Sequence, residues 1–127
     1  MPHFTVHISE DVLDEETEEG LIQGLTDAVG SVYGERFKHL VAVDLIGIPR
    51  RRRGIGGRPT GQAAPNVTLS LREAAYQHPD VPEAPTRLIS AITEAVVGVL
   101  GEQVREQVTV GLSATPEGRS GVGGRVA

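Results

Sequence analysis

The second half of this chain repeats the first, and the repeat restricts the possible folds more than any other feature of the sequence. Residues 21–34 align with residues 88–101 at an offset of 67, and seven of the fourteen pairs are identical. The same offset carries Gly-Ile-Gly-Gly-Arg at 54–58 onto Gly-Val-Gly-Gly-Arg at 121–125. A shared helix composition explains the first match but not the second, so a duplicated unit is the better interpretation.

The front of each unit aligns at a smaller offset. Pro2 pairs with Pro65 at an offset of 63, and the difference of four residues fits an insertion in the Pro-rich loop from His78 to Pro85. Each half is too short to bury a core alone, so the two must pack together. We therefore expect a single domain over residues 1–127, made of a first unit at 2–64 and a second unit at 65–127.

Each unit has the pattern of a strand, a helix and a second strand, followed by a glycine turn. Apolar and polar residues alternate over 3–9 and again over 66–71, which is typical of strands with one buried face. The helices end at Gly34 and Gly101, a residue type that favours helix C termini. Their apolar positions fall on one face in each unit: Leu21, Leu25, Ala28, Val29 and Val32, and then Leu88, Ile92, Ala95, Val96 and Val99.

The second strands are expected at residues 40–48 and 107–112. A strand-helix-strand unit normally makes a right-handed crossover between parallel strands. Two such units predict an α/β (α+β) fold, in which a tandem β-α-β repeat forms a four-stranded sheet with two helices on one face. The other face is expected to be apolar and to be covered, most simply by other subunits.

Composition excludes several classes of function. The net charge of −5 argues against general nucleic-acid binding, because a phosphate backbone repels a negative protein. The chain has no cysteine, and its four histidines lack metal-ligand spacing, so no metal site is expected. No apolar run is long enough to span a bilayer, and the start of the chain does not resemble a signal peptide. We expect a cytoplasmic protein without membrane partners.

With these features together, the chain resembles the 4-oxalocrotonate tautomerase superfamily. The resemblance rests on Pro2 directly after Met1, on the opening Pro-His-Phe-Thr-Val-His-Ile at 2–8, on the helix ending at Gly34, and on the Gly-Ile-Gly-Gly hairpin at 54–57. Because the second half repeats the pattern, the chain looks like the fused members, whose single chain equals two short subunits. The resemblance implies a tautomerase-like fold, a homotrimer and an isomerase or tautomerase that uses an N-terminal proline.

The implied chemistry of Pro2 has a physical rationale. Once Met1 is removed, Pro2 carries a secondary amine, and an apolar pocket or nearby cations lower the pKa of that amine. A neutral amine near pH 7 can move a proton between the oxygen and the carbon of an enol acid. Pro65 lies within the chain, so its nitrogen is an amide and cannot act as a base. We read Pro65 as a relic of the duplication.

Several positions depart from the family's pattern. The short tautomerases carry arginines where this chain has Val12 and Ala42, and an aromatic residue where it has Arg53. The fused dehalogenases carry two arginines after the first strand of the second unit; Arg72 matches the first of them, and Ala75 stands at the second. The dehalogenase and hydratase branches are therefore less favoured than a tautomerase.

Other arginines are candidates to bind a carboxylate in place of the missing ones. Arg72 ends the strand that corresponds to the Pro2 strand, and a run of four arginines leads into the first glycine hairpin: Arg50, Arg51, Arg52 and Arg53. Guanidinium groups bind carboxylates in bidentate geometry. The alternatives are a solvated loop for the run and a salt bridge to Glu73 for Arg72. Tyr33 lies at a helix end and is interpreted as a packing residue.

Two functions follow from these observations. The first is cofactor-independent proton transfer on a small anionic enol or keto acid, with Pro2 as the base and the arginines as carboxylate ligands. The alternative is a non-catalytic member of the same fold, either an assembled scaffold or a small-ligand-binding protein. The missing arginines at positions 12 and 42 motivate the alternative.

Overall fold

Each half of the chain folds as a strand, a long helix and a second strand, followed by a short hairpin. The computed structural model describes all residues, Met1–Ala127. The first half contains β1 (His3–Ser9), α1 (Glu15–Tyr33), β2 (Ala42–Ile48), β3 (Gly54–Ile55) and β4 (Arg58–Pro59). The second half contains β5 (Asn66–Arg72), α2 (Glu73–Tyr76), α3 (Ala84–Leu100), β6 (Thr109–Thr115), β7 (Gly121–Val122) and β8 (Arg125–Val126).

The four long strands form one mixed sheet in the order β2-β1-β5-β6. The strands of each unit are parallel to each other, β1 with β2 and β5 with β6, as a crossover through a helix requires. The two units meet through the central pair, in which β1 and β5 run antiparallel with His3 opposite Ser70. The predicted fold, a tandem β-α-β repeat with a four-stranded sheet, is confirmed.

Helices α1 and α3 pack against each other over one face of the sheet, and small residues let them approach closely. A Cβ atom added to Gly24 would lie 3.6 Å from the Cβ atom of Ala95, and one added to Gly20 would lie 3.2 Å from a methyl group of Val99. Beneath the helices, the inward residues of β1 and β5 are almost completely buried: Phe4, Val6, Ile8, Val67, Leu69 and Leu71. The core that the alternation predicted is the one observed.

Polar and glycine caps define the ends of α1. The side chain of Asp14 accepts a hydrogen bond of 2.8 Å from the backbone N–H of Thr17, which satisfies one of the free amides of the first turn. That amide holds the pKa of Asp14 below its ordinary value of 3.8. Gly34 follows the helix with φ of 116°, a conformation that favours glycine, and Gly101 repeats it after α3. The predicted C-terminal stops are confirmed.

The expected bounds of the second strands are wrong by a few residues. Residues 35–40 and 102–107 form 3-10 helices, so the chain is still turning where the sequence suggested the strands begin. At the other end, β6 continues past residue 112 because β5 extends to Arg72, which pairs with Thr115. The four additional residues of the second unit fall between β5 and α3, in the segment that contains α2.

The face of the sheet opposite the helices is polar, and the expectation of an apolar face is wrong. On this face His3 Nε2 lies 2.8 Å from Asp44 Oδ2, and only β2 contributes large aliphatic residues, Ile46 and Ile48. The alternation in β1 and β5 places only polar side chains here, because each strand uses its apolar residues on the helix side. The polar residues of these two strands are His3, Thr5, His7, Asn66, Thr68 and Ser70.

None of the helices combines the length and the apolar character that crossing a bilayer requires.

Candidate active site

A cavity of about 420 Å³ opens between the C-terminal end of α1 and the C-terminal end of β5, and Pro2 lies in its wall. Arg72 lines the same cavity. The antiparallel pairing of β1 with β5 explains this proximity, because the start of one strand lies beside the end of the other. The first residues of the chain are therefore held next to the last residue of β5, and the backbone N–H of Ala42 fixes Pro2 further by donating a 3.0 Å hydrogen bond to the Pro2 carbonyl oxygen.

The first unit supplies one wall of the cavity, and that wall is apolar. Val29 and Tyr33 come from successive turns of the same face of α1. Phe37 and Leu40 come from the 3-10 helix that follows. Val29 is buried, whereas Tyr33, Phe37 and Leu40 are partly uncovered, because the chain turns away at Gly34 before β2 begins. An amine facing such a wall has less access to water, which disfavours its charged form.

The second unit supplies the opposite wall, which contains the polar groups. Besides Leu71 and Arg72, it consists of Ala74, Ala75 and His78 from α2 and the loop after it. The Nδ1 atom of His78 accepts a hydrogen bond of 3.1 Å from the backbone N–H of Asp80. In the neutral ring this leaves the hydrogen on Nε2, where it is free to be donated. Arg72 is the only arginine or lysine that lines the cavity.

Two tyrosines hold the α2 wall in place. The hydroxyl group of Tyr33 donates a hydrogen bond of 2.8 Å to the carbonyl oxygen of Ala75, which joins α1 to α2. The hydroxyl group of Tyr76 lies 3.0 Å from the carbonyl oxygen of Leu69 and 2.9 Å from that of Ser113. Burial raises the pKa of Tyr33 above its ordinary value of 10.0, and burial, together with Tyr33 and Glu73, raises the pKa of Tyr76 to about 12. Both hydroxyl groups therefore stay protonated at neutral pH.

The interpretation of Tyr33 as a packing residue is incomplete, because this side chain also lines the cavity. Sequence reasoning missed it for a physical reason: the partner of the hydroxyl group is a backbone carbonyl 42 residues away, in a short helix that the sequence pattern did not reveal. The available signal was a difference between the two repeats. Tyr33 stands in the last turn of an amphipathic helix, and Leu100 stands at the equivalent position of the second unit.

The arginine run lies away from this cavity within one chain. The guanidinium group of Arg50 binds the carboxylate of Asp11, with Nη2 2.8 Å and Nε 2.9 Å from Oδ2. Arg51 and Arg52 are exposed in a 3-10 turn. Arg53 donates a hydrogen bond of 2.7 Å to the carbonyl oxygen of Ala64. A role for Arg50 to Arg53 in binding a substrate therefore stays a prediction.

The chain itself occupies the position in the second unit that corresponds to the cavity. Pro65 and Ala64 are buried there, in the linker between the units. The backbone N–H of Ala64 donates a hydrogen bond of 3.2 Å to Oε1 of Gln107, and that of Ser9 donates one of 3.1 Å to the carbonyl oxygen of Ala63. The linker thus fills the space that is open beside Pro2.

The side chains that could coordinate a metal are dispersed, and no three histidines, aspartates or glutamates come close enough to hold an ion.

Comparison with known proteins bears on the fold. The sequence matches no family of related sequences and no curated protein. Several solved structures, however, share the fold over 98% of this chain. A fused 4-OT solved as an asymmetric trimer superposes with a TM-score of 0.82 at 24% identity and is covered over 95% of its own length.

Two further structures extend the comparison. Pt0534, solved after inactivation by 2-oxo-3-pentynoate, superposes with a TM-score of 0.81 at 20% identity and is covered over 94% of its length. N1, a member of the cis-3-chloroacrylic acid dehalogenase family, superposes with a TM-score of 0.76 at 20% identity over 98% of this chain and 82% of its own. The chain has the fold of a fused 4-oxalocrotonate tautomerase, and the recognition made from the sequence is confirmed at the level of the fold.

Proposed function

We propose that the protein is a cofactor-independent tautomerase that transfers a proton within a small anionic enol or keto acid, with Pro2 as the base. The observation that carries the proposal is the presence of Pro2 and Arg72 in one cavity whose other walls are mostly apolar. Removal of Met1 converts the nitrogen of Pro2 from an amide to a secondary amine. The apolar wall and the nearby guanidinium group both disfavour the ammonium form, so a neutral amine is available at neutral pH.

The proposed reaction needs no group beyond these. The amine of Pro2 accepts the proton of the enol hydroxyl group and returns a proton to the neighbouring carbon. The O–H bond and the C=C bond of the enol are replaced by a C–H bond and a C=O bond of the keto acid. Arg72 binds the carboxylate and holds the reacting carbon within reach of Pro2, which is the positioning that such proton transfers require. The dehalogenase and hydratase branches receive less support, since the second arginine position of the dehalogenases is Ala75.

The proposal includes a homotrimer and the two-unit organisation over residues 2–64 and 65–127. Fused 4-OT structures with this fold are trimers, both symmetric and asymmetric. The hairpins β3–β4 and β7–β8 project from the sheet with all their residues exposed, including Ile55, Val122 and Val126. A neighbouring subunit would cover these side chains. Light scattering should give three times the mass of the chain; a stable monomer at micromolar concentration would contradict the trimer.

The test of the chemistry compares two forms of the purified protein. Met1-free protein, verified by mass, is assayed with simple enol acids such as phenylenolpyruvate beside protein that retains Met1 or carries an N-terminal tag. Only the Met1-free form should be active, because only it has a basic nitrogen at Pro2. Equal turnover by the blocked form would exclude Pro2 as the base.

A chemical probe makes the test independent of the substrate chosen. Pt0534 is inactivated by 2-oxo-3-pentynoate, an electrophilic alkynyl keto acid. The free amine of Pro2 should add to its alkyne, forming a C–N bond while the amine proton passes to the adjacent carbon. Mass spectrometry should find one added reagent on the N-terminal peptide of the Met1-free form and none on the blocked form. The alternative, a non-catalytic ligand-binding or scaffold protein, predicts no turnover of any enol acid and no selective labelling of Pro2.

A further inference from the structure

The cavity is divided into an apolar side and a polar side, and each side comes from a different unit. Val29, Tyr33, Phe37 and Leu40 form the apolar side, on α1 and the 3-10 helix after it. The polar side belongs to the end of β5 and to the segment that contains α2, and its polar groups are Arg72 and His78. Apart from Met1, which is removed in the proposed active form, and Pro2, the lining consists of seven hydrophobic residues with Arg72 and His78. A ligand that fills the cavity must therefore place most of its surface against apolar side chains.

This division limits the charge that a ligand can carry. One carboxylate can pair with Arg72, and His78 lines the same side of the cavity. A second carboxylate at the far end of a ligand would lie against Val29, Tyr33, Phe37 and Leu40, where no arginine or lysine of the same chain is among the lining residues. Burying an unpaired carboxylate against carbon is costly, whereas an aromatic or aliphatic group gains from the same contact.

From this arrangement we propose that the cavity selects monocarboxylic acids with an apolar body over dicarboxylic acids, with Arg72 binding the carboxylate and the α1 side binding the body. The inference rests on the proposed function, because it names the class of enol or keto acid that reaches Pro2. It also assigns a role to the α2 segment, which is docked on Tyr33 through Ala75 and forms the side of the cavity that faces the carboxylate.

The test measures equilibrium binding to Met1-free protein by calorimetry, with three unreactive probes. These are 3-phenylpropanoate, hexanedioate and 3-phenylpropanamide. The proposal predicts that 3-phenylpropanoate binds about tenfold more tightly than either of the others, which corresponds to about 1.4 kcal/mol. The comparison with hexanedioate tests whether the α1 side prefers an apolar group to a second carboxylate. The comparison with the amide tests whether Arg72 binds the carboxylate. Equal or tighter binding of hexanedioate, equal binding of the amide, or binding of none of the three would overturn it.

Two variants locate the carboxylate. Arg72→Gln should remove the preference for 3-phenylpropanoate over 3-phenylpropanamide. Ala74→Asp places a negative charge on the same side of the cavity, so it should weaken the binding of 3-phenylpropanoate more than that of the amide. Both positions are exposed, so neither change disturbs the core. Arg119→Gln removes a positive charge at an exposed position outside the cavity and should leave all three affinities unchanged. Acid selectivity that survives both cavity variants would place the carboxylate elsewhere.

Turnover separates this inference from the proposed function. If the binding order holds but Met1-free protein converts no enol acid, proton transfer by Pro2 fails and the selectivity stands. If a dicarboxylic enol acid has a higher kcat/KM than phenylenolpyruvate, the selectivity fails and proton transfer stands.

Discussion

Arg53 donates a hydrogen bond from Nη2 to the carbonyl oxygen of Ala64 across 2.7 Å, and this bond ties the approach to the first hairpin to the linker between the units. Ala64 has a φ of 42°, which is unusual for a residue with a side chain, and it is buried. Its carbonyl oxygen is bound by Arg53, while its N–H donates to Gln107. The strained residue is therefore held by partners from both units.

We expect replacement of Arg53 to reduce stability more than replacement of its neighbours. Arg53→Met removes the donor to the Ala64 carbonyl oxygen and should lower the free energy of unfolding by about 1–2 kcal/mol. Arg51→Met is the matched control, since Arg51 is exposed in the 3-10 turn, and it should stay close to wild type. Urea denaturation of both variants measures the difference. Equal stability of the two would show that the linker does not depend on Arg53; a loss of activity at unchanged stability would instead favour a site role in a neighbouring subunit.

Replacement of Pro2 should reduce turnover without abolishing it. Pro2→Ala keeps a free amine at the terminus after Met1 removal, but the amine is primary and no longer fixed by the ring. We expect kcat/KM to fall about 10²-fold or more, in the range that positioned acid–base groups contribute. Steady-state kinetics on mass-verified protein measures this effect. A variant as active as wild type would mean that another group transfers the proton.

Replacement of Arg72 should change both substrate binding and the pH profile. Arg72→Ala removes the cation that lines the cavity, so KM for an anionic substrate should rise about tenfold or more. The loss of a nearby positive charge also makes the ammonium form of Pro2 less unfavourable, so the pKa of the amine rises. In the pH profile of kcat/KM, the rise that follows deprotonation of the Pro2 amine should therefore shift to higher pH. Arg119→Ala serves as the charge-matched control, and an unchanged KM and profile in Arg72→Ala would place Arg72 outside the site.

Tyr33 should affect substrate binding indirectly, because its hydroxyl group holds the α2 wall of the cavity in position. Tyr33→Phe keeps the ring in the cavity but removes the hydrogen bond to Ala75, at a cost of about 1 kcal/mol. Amide hydrogens in residues 73–83 should then exchange faster, and KM should rise more than kcat falls. Thr93→Val is the control, because the Thr93 hydroxyl group bonds only within α3, to Ile89. Faster exchange throughout the chain, rather than in this segment, would indicate general destabilisation.

The cap of α1 should make stability depend on pH at acidic values. The pKa of Asp14 is lower in the folded protein than its ordinary value of 3.8, so its carboxylate stabilises the fold above that pH and loses this effect as pH falls through the folded pKa. Asp14→Ala should therefore lower the Tm at pH 7, and its difference from wild type should shrink as the pH falls below the ordinary value of 3.8. Asp14→Asn retains an acceptor but does not titrate, so this contribution to acid sensitivity should disappear. Thermal melts of the three proteins across pH 2–7 test this.

The sequence was sufficient for the architecture because the architecture depends on local periodicity. The alternation at 3–9 and the helical spacing from Leu21 to Val32 each specify an element and its buried face, and the repeat then specifies the second half. The C-terminal ends of the helices were also predictable, since Gly34 and Gly101 adopt the positive φ that favours glycine.

The site was less predictable because its contacts join distant positions. The proximity of Arg72 to Pro2 was predicted by matching the strands of the two units. The Tyr33–Ala75 and Gln107–Ala64 hydrogen bonds span 42 and 43 residues, and no sequence pattern predicts them. The α2 helix follows β5 without a break, so neither alternation nor helical spacing marks it. The polar character of the open sheet face is present in the sequence, because the outward residues of β1 and β5 are polar.

The linker at residues 60–65 has a consequence for how the protein responds to dilution. Because a short covalent connection holds the units at an effective concentration on the order of millimolar, the encounter that forms the central β1–β5 pair is intramolecular at any protein concentration. Contacts between separate chains follow mass action instead. Any dependence of the melting temperature on protein concentration therefore measures association between chains and carries no contribution from the joining of the two halves.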